Sequence, residues 1–168
     1  MRAMASWGEI EMLAPELAAR ARERFDAHVH KTLATLRRDG APRVSGTEVI
    51  FFDGDLWLGS MPGALKARDL RRDARYALHS GSDDPPDWAG DAKIGGRAEE
   101  ISDRARRDAV FAARVPGPDE PADPDFGDAH LFRLDIEELS VVRLNDARDG
   151  LVIDVWTATG GPRRIERA

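Results

Sequence analysis

Residues 31–61 read KTLATLRRDGAPRVSGTEVIFFDGDLWLGSM, and this stretch decides the fold. It contains three runs rich in β-favouring residues, at about 31–37, 43–52 and 55–61. The dipeptides Asp39-Gly40 and Asp53-Gly54 separate these runs. Asp-Gly between apolar runs is a strong hairpin signal, because glycine readily adopts the positive φ that a tight turn requires. The stretch therefore predicts an antiparallel meander of three strands.

Further regular elements are expected on both sides of the meander. Helix-favouring composition, amphipathic spacing and N-cap residues predict three helices, at 15–25, 64–72 and 102–115. Strand patterns predict further strands, at 75–80, 91–101, 130–144, 151–157 and 163–167. The Gly95-Gly96 pair within one of them suggests a bulge or a close approach by another backbone. Six to eight strands with only short helices predict a mainly β fold, a small antiparallel barrel and not a βαβ nucleotide fold.

Composition narrows the class of protein. The chain has 168 residues, the size of one domain, so a single domain over 1–168 is expected. It has no cysteine, which excludes disulfides, thiolate metal sites and cysteine nucleophiles. The formal net charge of -6 argues against nucleic acid as a partner, since such binding requires an excess of clustered cations. No signal peptide and no membrane-spanning run is evident, so a cytoplasmic protein without a membrane partner is expected.

One stretch carries little apolar surface. Residues 116–127, PGPDEPADPDFG, are acidic and rich in proline. Such a composition disfavours regular structure and offers little to a core. A dispensable surface excursion is therefore predicted there.

The passage from LWLGSM into PGALKARDLRRD, residues 56–73, brings a strand end, a glycine turn and a helix start together with several cations. A helix N-terminus presents unpaired N–H groups and a partial positive charge, so a phosphate can dock there. Lys66 would supply a full charge and Ser60 a hydroxyl. The alternative from these residues alone is that the cations of 66–72 only solvate an exposed helix face.

The histidines do not form a metal-binding pattern. The chain has four, namely His28, His30, His79 and His130. They make neither a helical HExxH motif nor a closely spaced triad, so structural or surface roles are expected and no metal site is assigned.

The meander and the segments after it, with KARDLRRDARYALHS at 66–80 and AKIGGRAEEISD at 92–103, resemble the pyridoxamine 5'-phosphate oxidase-like family. The resemblance implies an FMN-binding split β-barrel, and a homodimer with two cofactor sites at the subunit interface. It assigns flavin contacts to two strand segments, Arg43-Val44-Ser45-Gly46 and Ser60-Met61. Lys66 matches the family lysine that meets the cofactor phosphate.

The C-terminal segment DVWTATGGPRRIER, residues 154–167, is similar to the family's closing motif, a tryptophan followed by two arginines that flank a histidine. The similarity implies cofactor contacts for Trp156 and Arg167, with Arg163 as the other arginine. Ile165 occupies the histidine position. The resemblance therefore does not imply specificity for pyridoxine 5'-phosphate as a substrate.

These features together predict an oxidoreductase that uses FMN or a 5-deazaflavin coenzyme on a small conjugated or heteroaromatic molecule. The cofactor would perform the electron chemistry, so no catalytic side chain is assigned. The alternative is a non-catalytic carrier or sensor that binds flavin, deazaflavin or haem.

Overall fold

The computed structural model describes residues 3–115 and 126–168. Its helices and strands follow in chain order as α1 (Trp7–Leu13), α2 (Pro15–Ala27), β1 (Lys31–Leu36), β2 (Pro42–Thr47), β3 (Val49–Phe52), β4 (Asp55–Ser60), α3 (Leu65–Arg72), β5 (Arg75–His79), β6 (Asp91–Glu100), α4 (Arg104–Ala112), β7 (His130–Leu144), β8 (Leu151–Thr157) and β9 (Gly161–Arg167). The three predicted helices are confirmed as α2, α3 and α4. The five strands predicted from residue 75 onward are confirmed as β5 to β9. The fold is mainly antiparallel β with short helices, a split β-barrel as expected.

The strands form one antiparallel sheet around β7. Seven of them follow the order β2-β1-β5-β6-β7-β4-β3, while β8 pairs with β7 and β9 pairs with β8. β7 is long enough to pair with β4 through its first residues and with β8 through its last, and β6 lies along its other edge. β7 therefore pairs with β6 on one edge and with β4 and β8 on the other.

The predicted meander is wrong at its middle strand. Residues 43–52 do not form one strand but divide at Glu48 into β2, which pairs with β1, and β3, which pairs with β4. The reason is burial. Both strands lie at the ends of the sheet order, but β2 has alternating exposure whereas β3 packs on both faces. Phe51 contacts Trp7, with ring centroids 4.7 Å apart, and Ile50 belongs to a separate core cluster. With this division the described part of the chain has nine strands, one more than the predicted maximum.

The core has two parts that meet on β4. Helices α1 and α2 cover the larger cluster, in which Trp7, Ile10 and Phe25 are buried against the sheet. Helix α4 covers the smaller one, where Val110 and Phe111 pack with Trp57. Leu58 of β4 belongs to the larger cluster and Trp57 to the smaller, as the alternation of side chains along a strand requires.

The bulge predicted at Gly95-Gly96 is confirmed. The register between β6 and β7 shifts between these two residues. A Cβ atom on Gly96 would lie 2.0 Å from the carbonyl oxygen of Asp135, so the two backbones approach too closely for any side chain.

The predicted surface excursion lies mostly outside the described residues, which resume at Phe126. Phe126 itself does not fit that prediction. It is half-buried and stacks on Phe111, with centroids 4.4 Å apart, because its ring completes the smaller core cluster.

No helix in the described part of the chain is both long and apolar enough to cross a membrane.

Candidate functional site

A cavity of about 650 Å³ opens where several elements converge. It lies between the bend from β2 to β3, the end of β4, the start of α3 and the end of α4. Polar groups line one end, among them Gly46, Ser60 and Lys66, and Ile50, Phe111 and Phe126 line the other. The cavity therefore suits a ligand with an anionic end and an apolar end.

Lys66 lies at the polar end because it is the second residue of α3. Its Nζ donates a hydrogen bond to the carbonyl oxygen of Gly46 at 2.8 Å. Burial lowers the pKa of Lys66, and the nearby Glu48 carboxylate partly opposes this shift. An ammonium has three donors, so Lys66 can hold Gly46 and still donate to an anion.

Ser60, the last residue of β4, also lines the cavity. The residue is 6% exposed, and its Oγ is enclosed and has no hydrogen-bond partner in the described part of the chain. A buried hydroxyl without a partner costs free energy. A rotation about χ1 of Ser60 would bring this hydroxyl to an anion in the cavity, whereas the Lys66 ammonium needs no such change. The Lys66 end of the cavity therefore fits the phosphate of FMN.

The apolar end depends on a glycine of β4. A Cβ atom on Gly59 would lie 2.9 Å from Cε1 of Phe111. The missing side chain lets the Phe111 ring approach β4 closely, and Phe126 stacks on that ring at an interplanar angle of 13°. Two parallel aromatic rings thus close this end of the cavity.

A charged pair forms part of the wall between the two ends. Arg114 Nη1 lies 3.5 Å from the Glu48 carboxylate, and its guanidinium lies 5.3 Å from the centroid of the Phe126 ring. Lys66 lines the cavity as well, and the Glu48 carboxylate raises its pKa against the effect of burial.

A histidine holds the loop between β4 and α3. The Nε2 atom of His130 accepts a hydrogen bond from the backbone N–H of Gly63 at 3.2 Å, and its Nδ1 lies 2.9 Å from Glu100. The hydrogen bonds from Arg71 hold the pKa of Glu100 below its ordinary value. The neutral tautomer with hydrogen on Nδ1 satisfies both contacts. His130 thus has the structural role that the sequence analysis expected.

Arg43 is held away from solvent by a buried carboxylate. Its Nε donates to Asp69 at 2.6 Å, and Asp69 also accepts from Thr35 Oγ1 and Arg72 Nη2, each at 3.0 Å. Burial opposes ionisation of Asp69, but the hydrogen bonds from Arg43, Arg72 and Thr35 hold its pKa below the ordinary value.

The remaining predicted contacts around the cavity differ in position. Met61 lines the cavity and is exposed. Val44 is 72% exposed and Ser45 is half-buried, and neither residue lines the cavity.

The two predicted C-terminal contacts lie on opposite faces of the hairpin of β8 and β9. Trp156 is 3% exposed in the larger core cluster, on the face that carries Asp154 and its partner Arg164. Arg167 lies on the other face with Arg163 and Ile165, because side chains alternate along a strand. Neither residue lines the cavity of its own chain.

Several residues of the cavity wall were not predicted from the sequence. Phe111 and Arg114 lie in or just after α4, and Phe126 lies near the end of the acidic stretch, far from Lys66 along the chain. No local pattern marks them, because they reach the cavity only when α4 packs on β4. Gly59 carried a usable signal, since a glycine within a strand often marks a close approach.

In residues 3–115 and 126–168, no group of three or more His, Asp or Glu side chains is arranged to hold a metal ion.

The strand arrangement and the two-ended cavity define a split-barrel protein with a candidate phosphate site. The chain belongs to the pyridoxamine 5'-phosphate oxidase family, whose sequence model matches residues 17–143. No curated protein sequence matches the chain.

Solved structures share the fold. PhzG from Burkholderia lata, solved in complex with tetrahydrophenazine-1-carboxylic acid, is 15% identical with a TM-score of 0.65 over 95% of this chain and 91% of that one. A heme binding protein from Mycobacterium smegmatis is 23% identical with a TM-score of 0.60, over 84% of this chain and 58% of that one. A protein from Clostridium acetobutylicum related to general stress protein 26 is 17% identical with a TM-score of 0.58, over 74% of this chain and 87% of that one.

Proposed function

We propose that this protein is an FMN-dependent oxidoreductase that acts on a small conjugated or heteroaromatic molecule. A 5-deazaflavin coenzyme is the competing cofactor. The family supports a flavin, and PhzG, which shares the fold, was solved with a fused-ring carboxylic acid.

One observation carries the proposal. The half-buried Lys66 ammonium lines a cavity whose other end is aromatic, and Ser60 lines it as well. A phosphate at the start of α3 would gain a charge-assisted hydrogen bond from Lys66, and a rotation about χ1 of Ser60 would add one from its enclosed hydroxyl. A flavin phosphate and its planar ring match these two ends.

The bound cofactor would supply the hydride chemistry. The chain would bind and orient it. Lys66 and Ser60 hold the phosphate, Gly46 faces the cofactor with backbone, and the rings of Phe111 and Phe126 exclude water from the apolar end. Exclusion of water strengthens the charge contacts at the polar end.

Separate titrations of the apoprotein with FMN, the deazaflavin coenzyme and haem test the cofactor. We expect saturable binding of FMN at a ratio of one per chain, followed by absorbance and by flavin fluorescence. Absence of flavin and deazaflavin binding would refute the proposal.

Catalysis requires a second measurement. The chemically reduced holoprotein is mixed anaerobically with a panel of conjugated and heteroaromatic acceptors. An enzyme should transfer electrons to at least one acceptor faster than free reduced FMN does. A carrier or sensor should accelerate none.

Haem binding is the second candidate, because His30 lies at the cavity wall. The neutral imidazole is a haem ligand, and a relative by fold is a heme binding protein. If haem is the ligand, haem should bind more tightly than FMN, and His30→Ala should shift its Soret band.

We further propose that a second copy completes the site. Arg163 and Arg167 share the outer face of the C-terminal hairpin with half-buried Ile153, Val155 and Ile165, an apolar stripe flanked by cations. Docked on a partner, this face would bring Arg167 to the partner's cavity. A cofactor contact by Trp156 stays a prediction.

A further inference from the structure

Two contacts fasten the edge strand β2 to helix α3. Lys66 reaches the carbonyl of Gly46, and Asp69, one helical turn later, binds Arg43, three residues earlier on the strand. The cavity opens beside the first of these contacts. β2 pairs with β1 alone in the sheet, and these two contacts join it directly to α3.

The two contacts differ in strength. The first is a single hydrogen bond from a flexible lysine to a neutral carbonyl, and a phosphate dianion would share the same ammonium. The second ends on a carboxylate that is 3% exposed and accepts from three donors on β1, β2 and α3. Buried charge-assisted bonds are short and directional, so this contact sets the spacing of the two elements.

We propose that Asp69 is a positioning residue for the cofactor: it fixes β2 over the start of α3, so that the cleft keeps its shape while Lys66 serves the phosphate. Asp69 touches no ligand in this role. The inference rests on the proposed flavin site.

The chain provides a matched control. Asp154 is 6% exposed and, like Asp69, lies among arginines, with Arg20 at 3.1 Å, Arg164 at 2.6 Å and Arg143 at 3.7 Å. It lies on β8, which does not line the cavity, and on the face of the hairpin opposite to Arg163 and Arg167. Asp154→Asn should therefore cost stability as Asp69→Asn does, without an effect on the site.

The test measures FMN and riboflavin affinity by fluorescence quenching, at a temperature where each variant is folded. We expect Asp69→Asn to weaken both ligands about 10-fold, because both need the cleft. We expect Asp69→Glu to recover part of the loss and Asp154→Asn to leave both affinities within about 2-fold of the wild type.

If Asp69→Asn does not fold, Arg43→Lys replaces it. This variant removes the fixed guanidinium contact to β2 but leaves Asp69 satisfied by Thr35 and Arg72. It should also weaken both ligands to a similar degree. A loss confined to FMN would mean that Arg43 contacts the phosphate directly, and would overturn the positioning role.

Two other results overturn the inference. Equal effects of Asp69→Asn and Asp154→Asn on affinity would reduce Asp69 to a stability residue, as would unchanged affinity in Asp69→Asn. If the wild type binds neither ligand, the proposed flavin site fails and the inference fails with it.

Discussion

At the scale of single residues, Lys66 and Ser60 decide whether the cavity holds a phosphate. Lys66→Ala removes a charge-assisted contact worth roughly 1.5–3 kcal/mol, so FMN affinity should fall by ~10- to 150-fold. Riboflavin, which lacks the phosphate, should lose little. Fluorescence titration with the two ligands measures the difference.

Arg38→Ala serves as the control, because Arg38 is exposed in the turn between β1 and β2, at the far end of β2 from Gly46. It should change neither affinity. Arg72 is unsuitable, since it binds Asp69 and the carbonyl of Leu36. If Lys66→Ala weakens the affinities for FMN and riboflavin equally, the phosphate does not bind at Lys66.

The lowered pKa of Lys66 predicts a pH dependence of binding. Burial favours the neutral amine, so Lys66 should lose its proton at a lower pH than the ordinary value of 10.5, and FMN affinity should fall as the pH rises through that range. A bound dianion raises the pKa again, which moves the loss to higher pH in the complex. Dissociation constants between about pH 7 and 10 test this.

Lys66→Arg provides the comparison, because arginine stays charged throughout this range. Its FMN affinity should be flat with pH. A wild-type profile that is equally flat would show that the Lys66 charge does not contribute.

Residues at element boundaries were predictable, and residues brought together by packing were not. Lys66 and Ser60 stand where a strand ends and a helix begins, which local chemistry marks. Arg43 was predicted as a cofactor contact, but its main partner, Asp69, lies on another element and no pattern joins them. Phe126 was assigned to a surface excursion because composition alone does not reveal a single aromatic anchor.

At the scale of elements, the contact between β4 and α4 shapes the apolar end. Gly59→Ala should push the Phe111 ring, because its Cβ would lie 2.9 Å from that ring. Overpacking typically costs about 1–3 kcal/mol, and the displaced ring would enter the cavity. We expect a lower melting temperature together with weaker FMN and riboflavin binding.

The double variant Gly59→Ala/Phe111→Leu makes room for the new methyl group and should regain part of both losses. If Phe111→Leu does not restore ligand binding in the Gly59→Ala background, displacement of the Phe111 ring is not the cause of the weaker binding.

One element could have been predicted but was not. Ser6 and Glu9 have the spacing of a capping box, and they form one at the start of α1, where the Ser6 side chain accepts from the Glu9 backbone. The division of residues 43–52 into two strands was harder to predict from the sequence. Its residues favour strand throughout, and only the packing of β3 on both faces separates it from β2.

At the scale of the whole molecule, the outer face of the C-terminal hairpin should mediate a homodimer. Sedimentation should give twice the chain mass. Ile153→Glu puts a charge on the half-buried stripe of that face, so it should favour the monomer and weaken FMN binding in parallel.

Leu13→Glu is the control, because Leu13 is also apolar and exposed but lies at the end of α1. It should leave both mass and affinity unchanged. A wild-type monomer that binds FMN at low concentration would contradict the shared site.

The central place of β7 has a consequence for synthesis. β4 and β6 both pair with β7, yet β7 begins about 70 residues after β4 ends. At ~5–20 residues per second, a ribosome takes roughly 4–14 s to make that interval. During this time β4 has an open edge, and open apolar edges attract other chains. The nascent chain should therefore depend on chaperones until residue 144 emerges, and a fragment ending at residue 129 should precipitate instead of folding.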